Sequence, residues 1–530
     1  MDATKGNDSN NATSQLTPWK TIAKVNASRF NPGDQILFKI GETWREQLTV
    51  PSSGSVGNVI TIGAYGSGAE PTINGLDLIT NWSDNRGEVV NTWKATVTTK
   101  PKIVYFNTTR GTNKASVQLC TGANNWYWSS NVLYVYSTSN PSSAYTFPGI
   151  QAGSRSVCIV VRGVNYVNFE NLSLWGSNSD GISIQNSNYI IFDNVDTYGM
   201  YFSGVTTPYT TNASSNITYK NSEMSYNGAN GIIFGLRRLD TILIQNNNAH
   251  HNCWNTVNDG NAKYTAGIRV WGGYGGSPIS NNVIIELNNS HDQYGISNSR
   301  GMGIWIDEWG TGAVVRYNKT YDNAGNGIEV EHMEAAQVYY NLSYRNGTAK
   351  YARIGNGIQI FRSAASNEVY NNVCHSNYGA GINVSGFDTY TAIINNLIKN
   401  NVSINNTTQL IATLGGENTG GGSGNVYTYN CFGAQARNFI EWGRGTYKLT
   451  YSDWETAYGG TTHSVQSEPL FVSTSTPDFH LQPTSPAINS GIDVGLTQDY
   501  AGNPIYGTPD IGAYEYQPRQ TEPKNFRIVP

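Results

Sequence analysis

A phrase repeated between residues 160 and 410, a charged fraction of only 13% and an excess of turn and strand formers predict an all-β solenoid. The expected form is a right-handed parallel β-helix with a small β-rich insertion near the N-terminus. The phrase joins a β-rich run, an Asn, a short polar turn and a closing Gly-Ile-x-(Ile/Val/Phe). Its first half reads VNFENLSLWG, YIIFDNVDTYG, VVRYNKTYDN, VYYNLSYRN and VYNNVCHSN. Its second half reads GISIQ from Gly181, GIIFG from Gly231, GIRVW from Gly267, GIWID from Gly303, GIEVE from Gly327, GIQIF from Gly357 and GINVS from Gly381. From Gly231 onward these glycines stand 36, 36, 24, 30 and 24 residues apart, a unit of 24 with loop insertions. That length fits one coil of a parallel β-helix and is too short and too polar for paired helices.

The 530 residues would fill several average domains, but a solenoid lengthens without adding cores. Gly 57 and Tyr 34 against Met 5 suit turns and strands better than helices. A formal net charge of −4 and the lack of a basic stripe argue against nucleic acid as a partner. No apolar run is long enough to span a membrane, so no membrane partner is expected either. Cys120, Cys158, Cys253, Cys374 and Cys431 form neither CxxC nor zinc spacing. They are read as small buried hydrophobes, and no metal ligands are assigned.

In chain order, residues 1–83 are read as an N-terminal cap and first coils, and 84–150 as the insertion. Within the insertion NWYWSSNVLYVYS alternates strand and turn without the coil phrase. Residues 151–465 are read as the main β-helix with the functional groove, and 466–530 as a last coil and tail. A single coil cannot bury its own apolar face, so its Ile, Val and Leu must stack on neighbouring coils. Asn tolerates left-handed backbone at turns. Asn171, Asn194, Asn318 and Asn341 are therefore expected to form one inward-pointing ladder. His250, His291 and His375 fall in corresponding turns on another edge and are read as stacked or hydrogen-bonded structural groups.

The opening TPWKTIAKVNASRFNPGDQILFKIGETWREQLTV resembles the first coils of secreted bacterial β-helix proteins. The tail, PDFHLQPTSPAINSG with DYAGNPIYGTPDIGAYEY, resembles the ending of extracellular β-helix proteins of the pectate-lyase-like superfamily. This resemblance implies a secreted, carbohydrate-active protein, and a monomer with a polysaccharide partner is expected. It leaves the chemistry open, because lyases, hydrolases, epimerases and adhesins share the fold. No signal peptide is present, and Met1 is read as a start that replaced a removed leader.

Alternate residues of a strand face opposite sides. With the Ile positions inside, the third and fifth positions of each Gly-Ile phrase face out. They read Ser183/Gln185, Ile233/Gly235, Arg269/Trp271, Trp305/Asp307, Glu329/Glu331, Gln359/Phe361 and Asn383/Ser385. Trp, Arg and carboxylate gather on the middle coils, and aromatic rings among polar groups mark a binding surface. Trp271, Trp305, Arg269, Gln359, Phe361 and Asn383 are expected to bind substrate. His332 and Arg362, at the corner after the last outward position, and Tyr274, in a Gly-rich loop, are expected to join them.

The catalytic candidates are Asp307, Glu331, Glu329 and the corner residue Glu308. Asp307 and Glu331 share a column, which places them about 5 Å apart, and Asp307 to Glu329 is a diagonal of roughly 8 Å. Glycosidases use carboxyl pairs about 5–5.5 Å apart when retaining and roughly 6.5–9.5 Å when inverting. The expected activity is hydrolysis of a neutral β-linked glycan, cellulose- or xylan-like, with no cofactor. The alternatives are a lyase or epimerase on a uronic-acid polymer, in which the carboxylates hold Ca²⁺ and Arg269 is the base, and a non-catalytic adhesin. Because the columns face solvent in this reading, amide replacements at Asp307 and Glu331 are expected to leave stability almost unchanged.

Overall fold

The computed structural model describes residues 1–517 except 208–213, 237–240, 256–263, 273–281, 296–299, 308–309, 349–354, 363, 387–392 and 414–419. The chain divides into two compact units, Met1–Val314 with Lys319–Met333, and Val315–Asn318 with Glu334–Pro530. Each is built of short parallel strands stacked coil on coil, and helix is confined to short pieces such as Ile22–Asn26 and Tyr451–Tyr458. Among the described residues no helix is long and apolar enough to cross a membrane.

One face of the first unit stacks Val157–Arg162, Asp180–Gln185, Val205–Thr207, Ile232–Leu236, Ala266–Gly272, Met302–Asp307 and Ile328–Glu331 in parallel. Their register aligns Ile159, Ile182, Val205, Ile232, Ile268, Ile304 and Ile328 in one fully buried column. Burying each such side chain is worth about 1.5–3 kcal/mol, and this stacking holds the coils together. The coil at Val205–Thr207 opens on Gly204 and lacks the Gly-Ile phrase, so it is absent from the sequence count.

The recurring glycine has a steric cause. A Cβ on Gly231 would lie 2.5 Å from the carbonyl oxygen of Gly267, and one on Gly303 2.5 Å from that of Gly327. Coils about 4.8 Å apart leave no room for a side chain there.

A second wall of this unit stacks Val167, Ile190, Ile217, Ile242 and Val283, with the Phe169 and Phe192 rings 4.6 Å apart beside them. Near the N-terminus, Thr92–Thr96, Asn125–Ser129 and Val132–Tyr136 form an antiparallel sheet over Trp93, Phe106, Trp126 and Leu133.

The second unit repeats the pattern with Ile358, Ile382, Leu410 and Ile440 in one column, and Val338, Val369, Ile398 and Tyr427 in another. Asn318, Asn341, Asn372, Asn401 and Asn430 form a buried ladder, each amide donating to the next at 2.9–3.0 Å. The expected single ladder is corrected here. Asn194 does donate to Asn171, at 2.9 Å, but both hold left-handed backbone on the outside of the turn, and Leu172 and Val195 follow them inward. In the second unit burial, with the charges of Asp510 and Asp499, pushes the Glu515 carboxyl up to about 7. Burial also holds His375 down to about 4. None of the five cysteines is in a disulfide and all are buried, and burial pushes the thiols of Cys158, Cys253 and Cys431 up to about 12, which keeps these three unreactive.

Candidate active site

Three consecutive strands of the first unit, Ala266–Gly272, Met302–Asp307 and Ile328–Glu331, carry the chemistry. Their register sets Arg269 beside Trp305 and Trp305 beside Glu329, and in the neighbouring column Trp271 beside Asp307. Carried one residue past Val330, the same register aligns Asp307 with Glu331. The inward residues Ile268, Val270, Ile304, Ile306, Ile328 and Val330 are fully buried. Arg269, Trp305, Asp307, Glu329 and Glu331 are thereby set on the opposite face. Gly235, one coil below Trp271, leaves room for its indole, since a Cβ there would stand 3.1 Å from the ring.

The face is not solvated, which corrects the expectation of an exposed ribbon. Asp307 is 4%, Glu331 3%, Glu329 1%, Trp305 1% and Arg269 7% exposed. Charged and aromatic groups cover one another. The Arg269 guanidinium stands 4.4 Å from the Trp305 ring centre and donates to the Tyr264 carbonyl at 2.7 Å and to an Asp307 carboxylate oxygen. The Arg300 guanidinium lies 5.1 Å from the same indole and 5.6 Å from the Tyr264 ring. It donates to Glu329 at 3.2 Å and stands 4.0 Å from Glu331. The Asn326 amide donates to the other Glu329 oxygen.

Asp307 and Glu331 share the expected column, and each also meets another partner. Asp307 forms an ion pair with Arg269, and Glu329 shares a hydrogen bond with Glu331. Burial pushes the Glu329 carboxyl above its ordinary value, and the Asp307 charge adds to this. Arg300, the Asn326 amide and the bond to Glu331 oppose the rise without cancelling it. The site thus holds a carboxyl inclined to keep its proton near one that is ion-paired to Arg269, a combination that serves acid–base chemistry. Two buried donors, Arg269 Nε and Trp305 Nε1, have no hydrogen-bond partner among the described residues and suit oxygen acceptors of a ligand.

Trp271 is half-buried, and Arg269 lies 5.5 Å from its ring centre. His332 and Arg362 adopt left-handed backbone at the ends of their strands, which turns each away from strand geometry. In the second unit Gln359, Phe361 and Asn383 are also buried rather than exposed, at 6%, 3% and 7%. Asn356 donates to Gln359 at 3.0 Å, and Arg362 lies 5.0 Å from the Phe361 ring. Glu308 and Tyr274 lie outside the described residues. No group of three or more His, Cys, Asp or Glu among the described residues is arranged to hold a metal.

Sequence columns missed Tyr264, Arg300 and Asn326, which all precede strands. Asn326 was visible in principle. It donates to Glu329 three residues on, as Asn356 does to Gln359, so Asn-Gly-Ile-(Glu/Gln) carries a readable link.

Residues 255–398 match the family model described as a right-handed β-helix region. Over 74 residues the chain is 36% identical to lacto-N-biosidase of Bifidobacterium longum subsp. longum. That stretch is 13% of this chain and 5% of the relative, so the chain spans a small fraction of that protein's length. Among solved structures it is similar to XylC in complex with xylose, with TM-score 0.54 and 15% identity over 76% of this chain and 74% of that one. It is also similar to a glycoside hydrolase, with TM-score 0.51 and 10% identity over 86% and 98% of the two chains. With its stacked parallel register and the matching family model, the chain is a right-handed parallel β-helix protein.

Proposed function

We propose that the chain is a secreted, monomeric glycoside hydrolase that cleaves a neutral β-linked glycan, with Glu329 as the proton donor and Asp307 as the anionic carboxylate. The observation that carries the reading is the division between two neighbouring carboxyl groups, one raised by burial and one ion-paired to Arg269. Glu329 gives its proton to the glycosidic oxygen as the C1–O bond breaks. Asp307 faces the positive charge that develops at C1, and water then adds to C1 and returns a proton to the site. Glu331 holds Glu329 through their shared hydrogen bond, Trp271 and Tyr264 offer ring surface to the sugar, and buried Trp305 backs the two guanidiniums. A lacto-N-biosidase, a xylose complex and a glycoside hydrolase among the similar proteins support the carbohydrate class.

A second guanidinium, Arg300, favours one alternative, elimination from a uronic-acid polymer whose carboxylate would be neutralised by arginine. Both guanidiniums are already bonded to carboxylates within the protein, which places that reading second. Incubation with a panel of neutral and uronic polysaccharides, following reducing ends and absorbance near 235 nm together, separates the two. Saturated products from a neutral glycan are expected. Unsaturated products, or dependence on added Ca²⁺, would overturn the hydrolase assignment.

A further inference from the structure

Another face of the first unit carries polar and aromatic groups that the proposed chemistry does not use. The residues at 196–198 and the strands Glu223–Ser225, Asn248–His250, Asn289–His291 and Lys319–Tyr321 stack in parallel. Their outward positions form two columns. Asp196, Glu223, Asn248, Asn289 and Lys319 make the first, and two residues further on Tyr198, Ser225, His250, His291 and Tyr321 make the second. In the second column His250 stacks on His291 at 5.1 Å and His291 on Tyr321 at 4.6 Å. Tyr226, 38% exposed, lies 5.4 Å from Tyr198 and stacks on His251 at 4.9 Å.

An open groove of about 350 Å³ runs along the first column, lined by Asp196, Glu223, Asn246, Asn248 and Asn289. Its volume falls in the usual range for small-ligand sites, about 300–1,000 Å³. The hydrogen bonds of these side chains leave a definite surplus. Asp196 accepts from the Glu223 amide at 2.7 Å through one oxygen. Glu223 meets Ser225 at 3.0 Å and His250 at 3.2 Å through one oxygen. Asn248 meets His291 at 3.0 Å through its carbonyl. Among the described residues nothing meets the second oxygens of Asp196 and Glu223, the amide nitrogen of Asn248 or the side chain of exposed Asn289.

Two spare carboxylate acceptors and then two amide groups therefore follow one another along a groove beside aromatic rings, at the spacing of the coils. A pyranose chain presents the matching chemistry, with hydroxyls at its edge and C–H bonds on its faces. The Asp196 and Glu223 carboxylates at one end of the column disfavour an anionic polymer there, and no metal-holding cluster occurs among the described residues. We propose that this groove is an ancillary saccharide-binding subsite for a neutral glycan chain, sharing no residue with the Asp307–Glu329 site. The ligand class rests on the glycan reading above.

Affinity electrophoresis through gels containing soluble β-glucan or arabinoxylan tests it, with wild type, Glu329→Gln and a His250→Ala/Asn289→Ala double variant. Wild type and Glu329→Gln should be retarded alike, whereas the double variant should lose at least fivefold in apparent affinity. Its turnover of a short oligosaccharide should match wild type. Asn289→Ala alone, at an exposed position with no protein bond to lose, keeps the test open if the double variant does not fold, and should lose at least twofold. Retardation of the groove variants equal to wild type, or no retardation of any protein on either glycan, overturns the subsite. Binding lost in the groove variants of a protein that cleaves nothing would sink the hydrolase reading and leave the subsite standing. Cleavage by wild type with unaltered binding by the groove variants would do the reverse.

Discussion

Asp307→Asn and Glu329→Gln are alike in volume and sit on neighbouring strands, yet they should differ sharply in stability. Asp307 is the ion-pair partner of Arg269, and the two side chains are only 6% and 9% exposed. Removing one partner of a buried pair typically costs about 3–5 kcal/mol, because the remaining charge is left in a low dielectric. Arg269 would keep an amide oxygen in place of the carboxylate, the Tyr264 carbonyl at 2.7 Å and the rings of Trp305 and Trp271, with its counter-charge gone. Glu329 is the opposite case. Burial already favours its neutral form, and an amide oxygen can still accept from Asn326 or Arg300. The expected loss there is about 1 kcal/mol, the worth of one ordinary hydrogen bond. Activity is a separate matter, since loss of a general acid lowers turnover about 10²–10⁴-fold, about 2.7–5.4 kcal/mol of barrier. Denaturant midpoints and reducing-end release, measured on the same preparations, read both effects. Equal midpoints for the two variants, or a Glu329→Gln protein within tenfold of wild-type turnover, would refute this account of the site.

Glu515 and His375 should give the second unit opposing pH dependences. The raised Glu515 contributes stability that is lost as pH rises from about 4.5 to about 7, and the depressed His375 contributes stability that is lost as pH falls from 6.5 towards about 4. Each window is worth up to about 3 kcal/mol. Denaturation of Glu515→Gln from pH 4 to 7 should therefore expose a steeper loss towards acid, and His375→Gln a loss towards neutral pH. Gly303→Ala should lower the melting temperature, because its Cβ would stand 2.5 Å from the Gly327 carbonyl; overpacking of this kind costs about 1–3 kcal/mol. Trp271→Ala should raise KM for a neutral glycan several-fold with little change in kcat, and a kcat effect alone would contradict its place as a stacking surface.

The coil register was legible because the Gly-Ile phrase is dictated by backbone contact between coils, as at Gly231 and Gly303. Gly204 escaped because Val205 replaces Ile there, although the coil packs the same way. The Asn ladder was half legible. Turns have an outer left-handed position followed by an inner buried one, and Asn suits both for different reasons. Asn246–Asn247 and Asn371–Asn372 fill both positions, whereas Asn171 and Asn194 fill only the outer. At the candidate site, strand parity identified which side chains share a face and said nothing about what covers it. The cover comes from Tyr264 and Arg300, in segments outside the phrase, so burial and the pairing of charges were invisible from the columns.

Charge balance explains why those covering residues matter for the chemistry. Among the described residues three carboxyl groups face two guanidinium groups in one buried cluster, so full ionisation of these would leave an unbalanced negative charge in a low dielectric. Holding one proton removes the excess. Burial, deepest at Glu329, favours the neutral form of that carboxyl; the bond to Glu331 opposes this preference and the Asp307 charge adds to it. Arg300 opposes this from 3.2 Å, so it limits how far the Glu329 carboxyl is raised. Without that limit Glu329 would remain an acid but surrender its proton less readily, and catalysis by such a group is best when its pKa lies near the working pH. The repeating strands thus supply the spacing of the carboxyl groups. Arg300, from outside the repeat, limits how far burial raises the Glu329 carboxyl.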